Sequence, residues 1–142
     1  DMTFRVEEHM REKGVNLILN NTVKTIEGET SVERVVTTNG VTIEPDIVIL
    51  SAGVRPNTEL AKEIGVEIGA SRAIAVNNKM QTNLPDIYAV GDVAESFSVI
   101  TGKPIYRPLG STANKMGRIA GDVITGGNLE HRGVLGTGIF RI

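Results

Sequence analysis

The run Thr82–Asp92, TNLPDIYAVGD, constrains the fold more than any other part of this 142-residue chain. Pro85-Asp86 is a turn signal, and Ile87-Tyr88-Ala89-Val90 is a short apolar run of the kind that lies within a parallel sheet. Gly91 then lets a ligand approach the main chain, and Asp92 sets a carboxylate at the carboxyl end of the strand, where open α/β sheets bind their ligands. A carboxylate there accepts hydrogen bonds from sugar hydroxyls. Taken as an isolated dipeptide, Gly91-Asp92 is more simply read as a surface loop that caps the next element.

The remainder of the chain reads as short alternating elements. Met2, Val6 and Met10 recur every four residues among charged ones, which predicts a helix from an Asp1 cap to about Lys13, stopped by Gly14. Val15 to Leu19 then has the apolar character of a strand. Thr22 to Ile26, Val32 to Thr38 and Val41 to Ile43 are β-branched segments. With the Asn39-Gly40 turn signal, they predict a small antiparallel meander that touches no ligand. Asp46 to Ser51, DIVILS, suits a strand covered on both faces. Gly53 follows at its carboxyl end, Asn57 is placed to cap a helix from Thr58 to Ile64, and Gly65 ends it. Ile74 and Val76 alternate into another short strand, and Ser96 to Arg107 reads as a hairpin around Thr101-Gly102-Lys103-Pro104. Met116, Ile119, Ala120, Val123 and Ile124 keep helical spacing between a Ser111 or Thr112 cap and Gly126-Gly127. Ala113, Gly117 and Gly121 leave one face of that helix bare, open to close approach by a sheet, a helix or a cofactor. Gly138 to Ile142 reads as the start of a further strand.

Composition narrows the function classes. A formal net charge of -2 gives no electrostatic case for nucleic acid or an anionic membrane, and no apolar stretch has the length of a membrane span. A cytoplasmic location is expected. With no cysteine there is no disulfide, thiolate metal site or cysteine nucleophile. His9 and His131 lack metal-ligand spacing, so no metal site is expected and both histidines are expected at exposed or helix-face positions.

The full Thr82–Asp92 run resembles the second FAD-binding motif of the pyridine nucleotide-disulfide oxidoreductases, flavoproteins with two dinucleotide-binding domains. That resemblance implies a ribityl contact for Asp92 within a motif that includes Thr82 and Gly91. It also implies main-chain contacts to the flavin from Leu109, Gly110 and Ser111, where a helix N-terminus stabilises the electron-rich reduced ring, and a position for Gly53 near the nicotinamide nucleotide. GVRPNTELAKEIG, TGKP and ANKMGR resemble the coenzyme A-disulfide reductase, NADH oxidase and NADH peroxidase branch. The implied fold is α/β, a portion of Rossmann-like FAD/NAD(P)-binding domains with β-meander insertions. Residues 1–57 would close the NAD(P)-binding domain, 58–130 would form the second half of the FAD-binding domain, and 131–142 would begin a dimerisation domain. The implied cofactors are FAD and NAD(P)H, and the implied reaction is hydride transfer from NAD(P)H through FAD to a disulfide, peroxide or oxygen in a homo-oligomer.

The chain has no G-x-G-x-x-G fingerprint and no redox cysteine. It is therefore expected to be an internal piece of a larger flavoenzyme, with no catalytic residue of its own and no turnover alone. A non-catalytic nucleotide-binding or assembly module and a ferredoxin-reductase-type flavoprotein remain as alternatives.

Overall fold

In the computed structural model, which describes residues 2–137, the first helix, α1, spans Met2–Glu12. Val6 and Met10 are half-buried on it, as is His9, which lies 3.8 Å from Glu12. The Asp1 cap lies outside the described residues, as does the strand expected at 138–142. Gly14 stops the helix at φ 79°: its N–H donates to Arg11 O at 2.9 Å and the Val15 N–H to Met10 O at 3.0 Å. This paired closure requires a left-handed residue at the stop, which glycine adopts without steric cost. The other two helices end in the same way, at Gly65 and Gly126.

The chain divides into two compact units, the first running to Ala52 and the second starting at Gly53. The first contains the meander: β1 (Val23–Glu27), β2 (Arg34–Thr37) and β3 (Thr42–Ile43), antiparallel in the order β1-β2-β3. Glu27 pairs with Arg34 in register, and Arg34 Nε donates to the Glu27 carboxylate at 2.6 Å, which holds that carboxyl below its ordinary range. The Asn39-Gly40 signal does produce the β2–β3 hairpin, but only Gly40 is left-handed, at φ 81°. Gly40 N–H donates to Thr37 O at 3.0 Å and Thr37 N–H to Val41 O at 2.9 Å, so the link is a turn followed by a bulge.

Val15–Leu19 and Asp46–Ser51 form no strand and pair with nothing among the described residues, contrary to the strand expectation. Ile47, Ile49 and Leu50 are 76%, 86% and 72% exposed. The sequence pattern marks a strand meant for burial, but a strand also needs neighbours for its backbone ladder and both faces. None of the described segments supplies them.

The second unit is built around helix α3 (Gly110–Ile124), whose Met116, Ile119 and Ala120 pack with Val66, Ile74, Met80, Ala89 and Ala94 in one buried cluster. The short helix α2 (Glu59–Glu63) starts at Thr58 rather than Asn57, and the hairpin of β4 (Ser96–Phe97) and β5 (Pro104–Ile105) forms where expected. The start of α3 also differs from expectation: Leu109 occupies the cap position, and no side chain caps it. Ile74 makes only isolated bridges, to Ile68 and Ala94. His131 departs most from expectation. It is 4% exposed, because the 131–134 segment folds back so that His131 N–H donates to Asn78 O at 2.7 Å and Val134 N–H to Phe97 O at 2.7 Å.

Candidate functional site

Local bonds build the corner at the end of the Thr82–Asp92 run. Thr82 donates its N–H to Ile87 O at 3.0 Å and its hydroxyl to the same carbonyl at 2.9 Å, and the Leu84 N–H donates to that hydroxyl at 3.2 Å. Both polar groups of Thr82 are thus engaged in the turn, so Thr82 positions the segment that follows. Val90 is extended, but residues 87–90 form no strand and join no parallel sheet among the described residues. Tyr88 instead makes one antiparallel bridge to Gln81, and Ala89 N–H donates to the carbonyl of fully buried Met80 at 3.1 Å.

The chain then turns through a single 3-10 turn, Gly91–Val93, with Gly91 at φ 76°. Ala94 N–H donates to Gly91 O at 3.1 Å. Ile74 secures the far side: its N–H donates to Val93 O at 2.8 Å, and its carbonyl accepts from Glu95 N–H at 2.9 Å. Held at both ends, the turn leaves Asp92 exposed.

This turn packs on the start of α3. A methyl group on Gly91 would stand 3.5 Å from Ala113 Cβ, so Gly91 and Asp92 lie beside the first helical turn. The first intrahelical bond runs from Ala113 N–H to Leu109 O at 2.9 Å, and Leu109 is extended without a side-chain cap. Among the described residues the N–H groups of Gly110, Ser111 and Thr112 therefore have no protein acceptor, as geometry requires at an uncapped helix start. Leu109, Gly110 and Ser111 are exposed, while Thr112 is buried. A cavity of about 380 Å³ borders this turn, with Val99, Leu109, Ser111, Lys115, Val134 and Leu135 in its wall.

Tyr106 belongs to the corner, although no spacing in the sequence marks it. Its hydroxyl donates to the Asp92 main-chain oxygen at 2.9 Å. Burial, and then the Asp92 charge, push the phenol's pKa up, so Tyr106 stays a neutral donor. The only prior cue is an aromatic residue at the end of the hairpin, and its partner becomes visible only after folding.

Six of the seven residues singled out from the sequence thus lie in the corner or its supporting turn: Thr82, Gly91, Asp92, Leu109, Gly110 and Ser111. Gly53 opens the second unit at φ 92° with open space where a side chain would stand. An exposed carboxylate beside a row of free N–H donors can accept bonds from hydroxyls and donate to an electron-rich carbonyl edge. This donor and acceptor set suits the ribityl chain and ring edge of a flavin. Among the described residues no group of His, Asp and Glu could hold a metal ion.

Comparison with known proteins gives four findings. Residues 1–117 match the family model described as pyridine nucleotide-disulphide oxidoreductase. The chain is 48% identical over 141 residues to the NAD(P)H sulfur oxidoreductase (CoA-dependent) of Pyrococcus furiosus, covering 99% of this chain and 31% of that protein. Among solved structures, it superimposes on a NAD-dependent persulfide reductase from A. fulgidus with a TM-score of 0.91 and 42% identity, covering 99% of this chain and 26% of that one. It also superimposes on a FAD-dependent pyridine nucleotide-disulphide oxidoreductase from Desulfovibrio vulgaris with a TM-score of 0.83 and 38% identity, covering 93% and 33%. The α/β, Rossmann-like assignment is thereby established, and the chain spans about a third of the length of the curated relative.

Proposed function

Because this chain belongs to the pyridine nucleotide-disulphide oxidoreductase family, we propose that it supplies one half of an FAD site in an NAD(P)H-dependent oxidoreductase. The observation that carries this reading is the packing of the Gly91–Val93 turn on the first turn of α3. That packing sets Gly91 against Ala113 of the first turn of α3, whose Gly110 to Thr112 N–H groups have no acceptor among the described residues, and it supports a shared site for those groups and the exposed Asp92 carboxylate. In this reading Asp92 accepts hydrogen bonds from ribityl hydroxyls, and the α3 N-terminus faces the pyrimidine edge of the ring. Thr82 and Tyr106 fix the corner, and Gly53 lies near the nicotinamide nucleotide.

When bound, FAD supplies the redox chemistry, taking a hydride from NAD(P)H and passing electrons onward. The residues of this chain bind and tune. Negative charge accumulating at the ring edge meets N–H donors and the positive end of a 15-residue helix, which favours the reduced form. A disulfide or persulfide is the favoured final acceptor, supported by the sulfur substrates named for two of the three similar proteins. Peroxide and oxygen are the competing acceptors.

The break between Ala52 and Gly53 supports a division near residue 57 between a nicotinamide-binding part and a flavin-binding part, with residues 131–142 leading into a further domain. A cytoplasmic homo-oligomer that engages neither nucleic acid nor membrane completes the reading. The net charge of -2 supports the part of this reading that concerns nucleic acid, and no helix among the described residues is long and apolar enough to cross a membrane.

Titration of the chain with FAD, followed by flavin fluorescence, tests the proposal. Saturable quenching that Asp92→Ala weakens about tenfold or more is the expected result, since a charge-assisted hydrogen bond is worth about 1.5–3 kcal/mol. Equal binding by both proteins would remove Asp92 from the site. Binding by neither would favour an assembly module without a ligand.

A further inference from the structure

A second cavity, of about 500 Å³, lies in the second unit, and its wall includes Arg55, Thr58, Glu59, Lys62, Arg72 and Tyr106. Three cations share it with one carboxylate, on a chain whose net charge is -2. Among the described residues the ion pairs are His9–Glu12, Arg11–Glu7 and Arg34–Glu27, so none of the three cavity cations is paired. Nor does any of their side chains donate a hydrogen bond to the protein. Three like charges gathered in one concavity repel one another, and an anion bound among them relieves that repulsion.

The placement of Arg72 is built into the fold. Its N–H donates to Gly69 O at 2.9 Å, closing a turn whose third residue, Ser71, is tied down by Glu95. Glu95 is 4% exposed and accepts from the Ser71 hydroxyl at 2.6 Å and from the Ser71 N–H at 3.2 Å. Arg72 is held at φ 71°, a left-handed conformation uncommon for a residue with a side chain. The buried carboxylate thus anchors the turn that carries Arg72 into the cavity wall.

We propose that this cavity binds a phosphate-bearing anion through Arg55, Lys62 and Arg72. Two guanidinium groups offer planar forks that match phosphate oxygens, and Lys62 adds a mobile point charge. Glu59 opposes weakly charged anions, so a group with two or more negative charges is selected. The Tyr106 ring supplies an apolar wall against which a nucleotide base can rest, which inorganic diphosphate lacks. The cavity adjoins the Asp92 corner through Tyr106, whose hydroxyl bonds Asp92 O, but Asp92 itself and the first turn of α3 are not in its wall, so the three cations form a separate set of contacts.

The test is an amide NMR titration of the chain with inorganic pyrophosphate at constant ionic strength, repeated with ADP. Saturable shifts centred on Arg55, Lys62 and Arg72 are expected. Arg72→Gly and Lys62→Gln should each weaken binding about tenfold, the equivalent of about 1.4 kcal/mol. Lys24→Gln, on an exposed position of β1 outside this wall, should change it less than about twofold. Glycine suits φ 71°, so Arg72→Gly keeps the fold and a loss there reports on the site. Tighter binding of ADP than of pyrophosphate assigns the site to a nucleotide, and equal or weaker binding assigns it to a free inorganic anion. Non-saturating shifts spread over every lysine and arginine would overturn the proposal, as would a loss in Lys24→Gln equal to that in Lys62→Gln.

Discussion

Replacing Gly91 and Gly117 separately by alanine should move stability in opposite directions, because the structure uses the two glycines differently. Gly91 is at φ 76°, and an added methyl group would meet Ala113 Cβ at 3.5 Å, an ordinary contact. The cost of Gly91→Ala is therefore conformational, about 1–2 kcal/mol for a left-handed residue that carries a Cβ. Gly117 lies inside α3, is exposed, has no atom within 4 Å of a built methyl group and has no left-handed φ. Gly117→Ala should stabilise by about 0.5–1 kcal/mol, the helix-interior penalty that glycine imposes. In urea, with a slope of about 2 kcal/mol/M, the midpoint should fall by roughly 0.5–1 M for Gly91→Ala and rise by roughly 0.25–0.5 M for Gly117→Ala. An unchanged midpoint for Gly91→Ala would mean that the turn relaxes out of its left-handed conformation, and the geometry of the corner would then be wrong. A destabilised Gly117→Ala would mean that protein packs against the bare face of α3.

Three further outcomes follow from named contacts. Tyr106→Phe should cost about 0.5–1.5 kcal/mol in urea unfolding through loss of the bond to Asp92 O, and an unchanged stability would remove Tyr106 from the corner. Gly69→Ala would drive a methyl group into the Glu95 carboxylate and break its two bonds to Ser71; a loss of about 1–3 kcal/mol is expected, and a neutral effect would show that the buried carboxylate can move aside. Burial, and then the Lys115 charge, hold His131 below its ordinary value of 6.5. The unfolded chain then takes up the proton at the higher pH, so stability should fall as pH drops from about 6.5 toward the folded value. Melting temperatures at pH 7.5 and 5.5 should differ less in His131→Asn than in the parent chain, and equal differences would contradict the assignment.

The sequence revealed local structure better than partnership. The meander, the 96–107 hairpin and the glycine stops of the helices follow from residues adjacent in the chain, and they formed where expected. Ile87–Val90 and Asp46–Ser51 carry the apolar signature of central strands. Pairing, however, depends on distant segments: among the described residues Asp46–Ser51 pairs with nothing, and Ile87–Val90 makes only the Tyr88–Gln81 bridge rather than a parallel ladder. Helix starts were misplaced by one to three residues because serine, threonine and asparagine were expected to cap. Leu109 instead leaves the N–H groups of α3 free, the same feature that makes its N-terminus available to a ligand. The burial of His131 and the Tyr106–Asp92 bond arise from segments folding back on each other, and no local pattern encodes them.

The most direct measurement is of the amide resonances of Gly110, Ser111 and Thr112 as FAD is added to the chain. If Asp92 and the α3 N-terminus form a flavin half-site, these three amides and that of Asp92 should show the largest shifts, saturating together, and in Asp92→Ala the three helix amides should need about tenfold more FAD, or more, to saturate. Shifts that centre elsewhere, or that persist unchanged in the variant, would contradict the account.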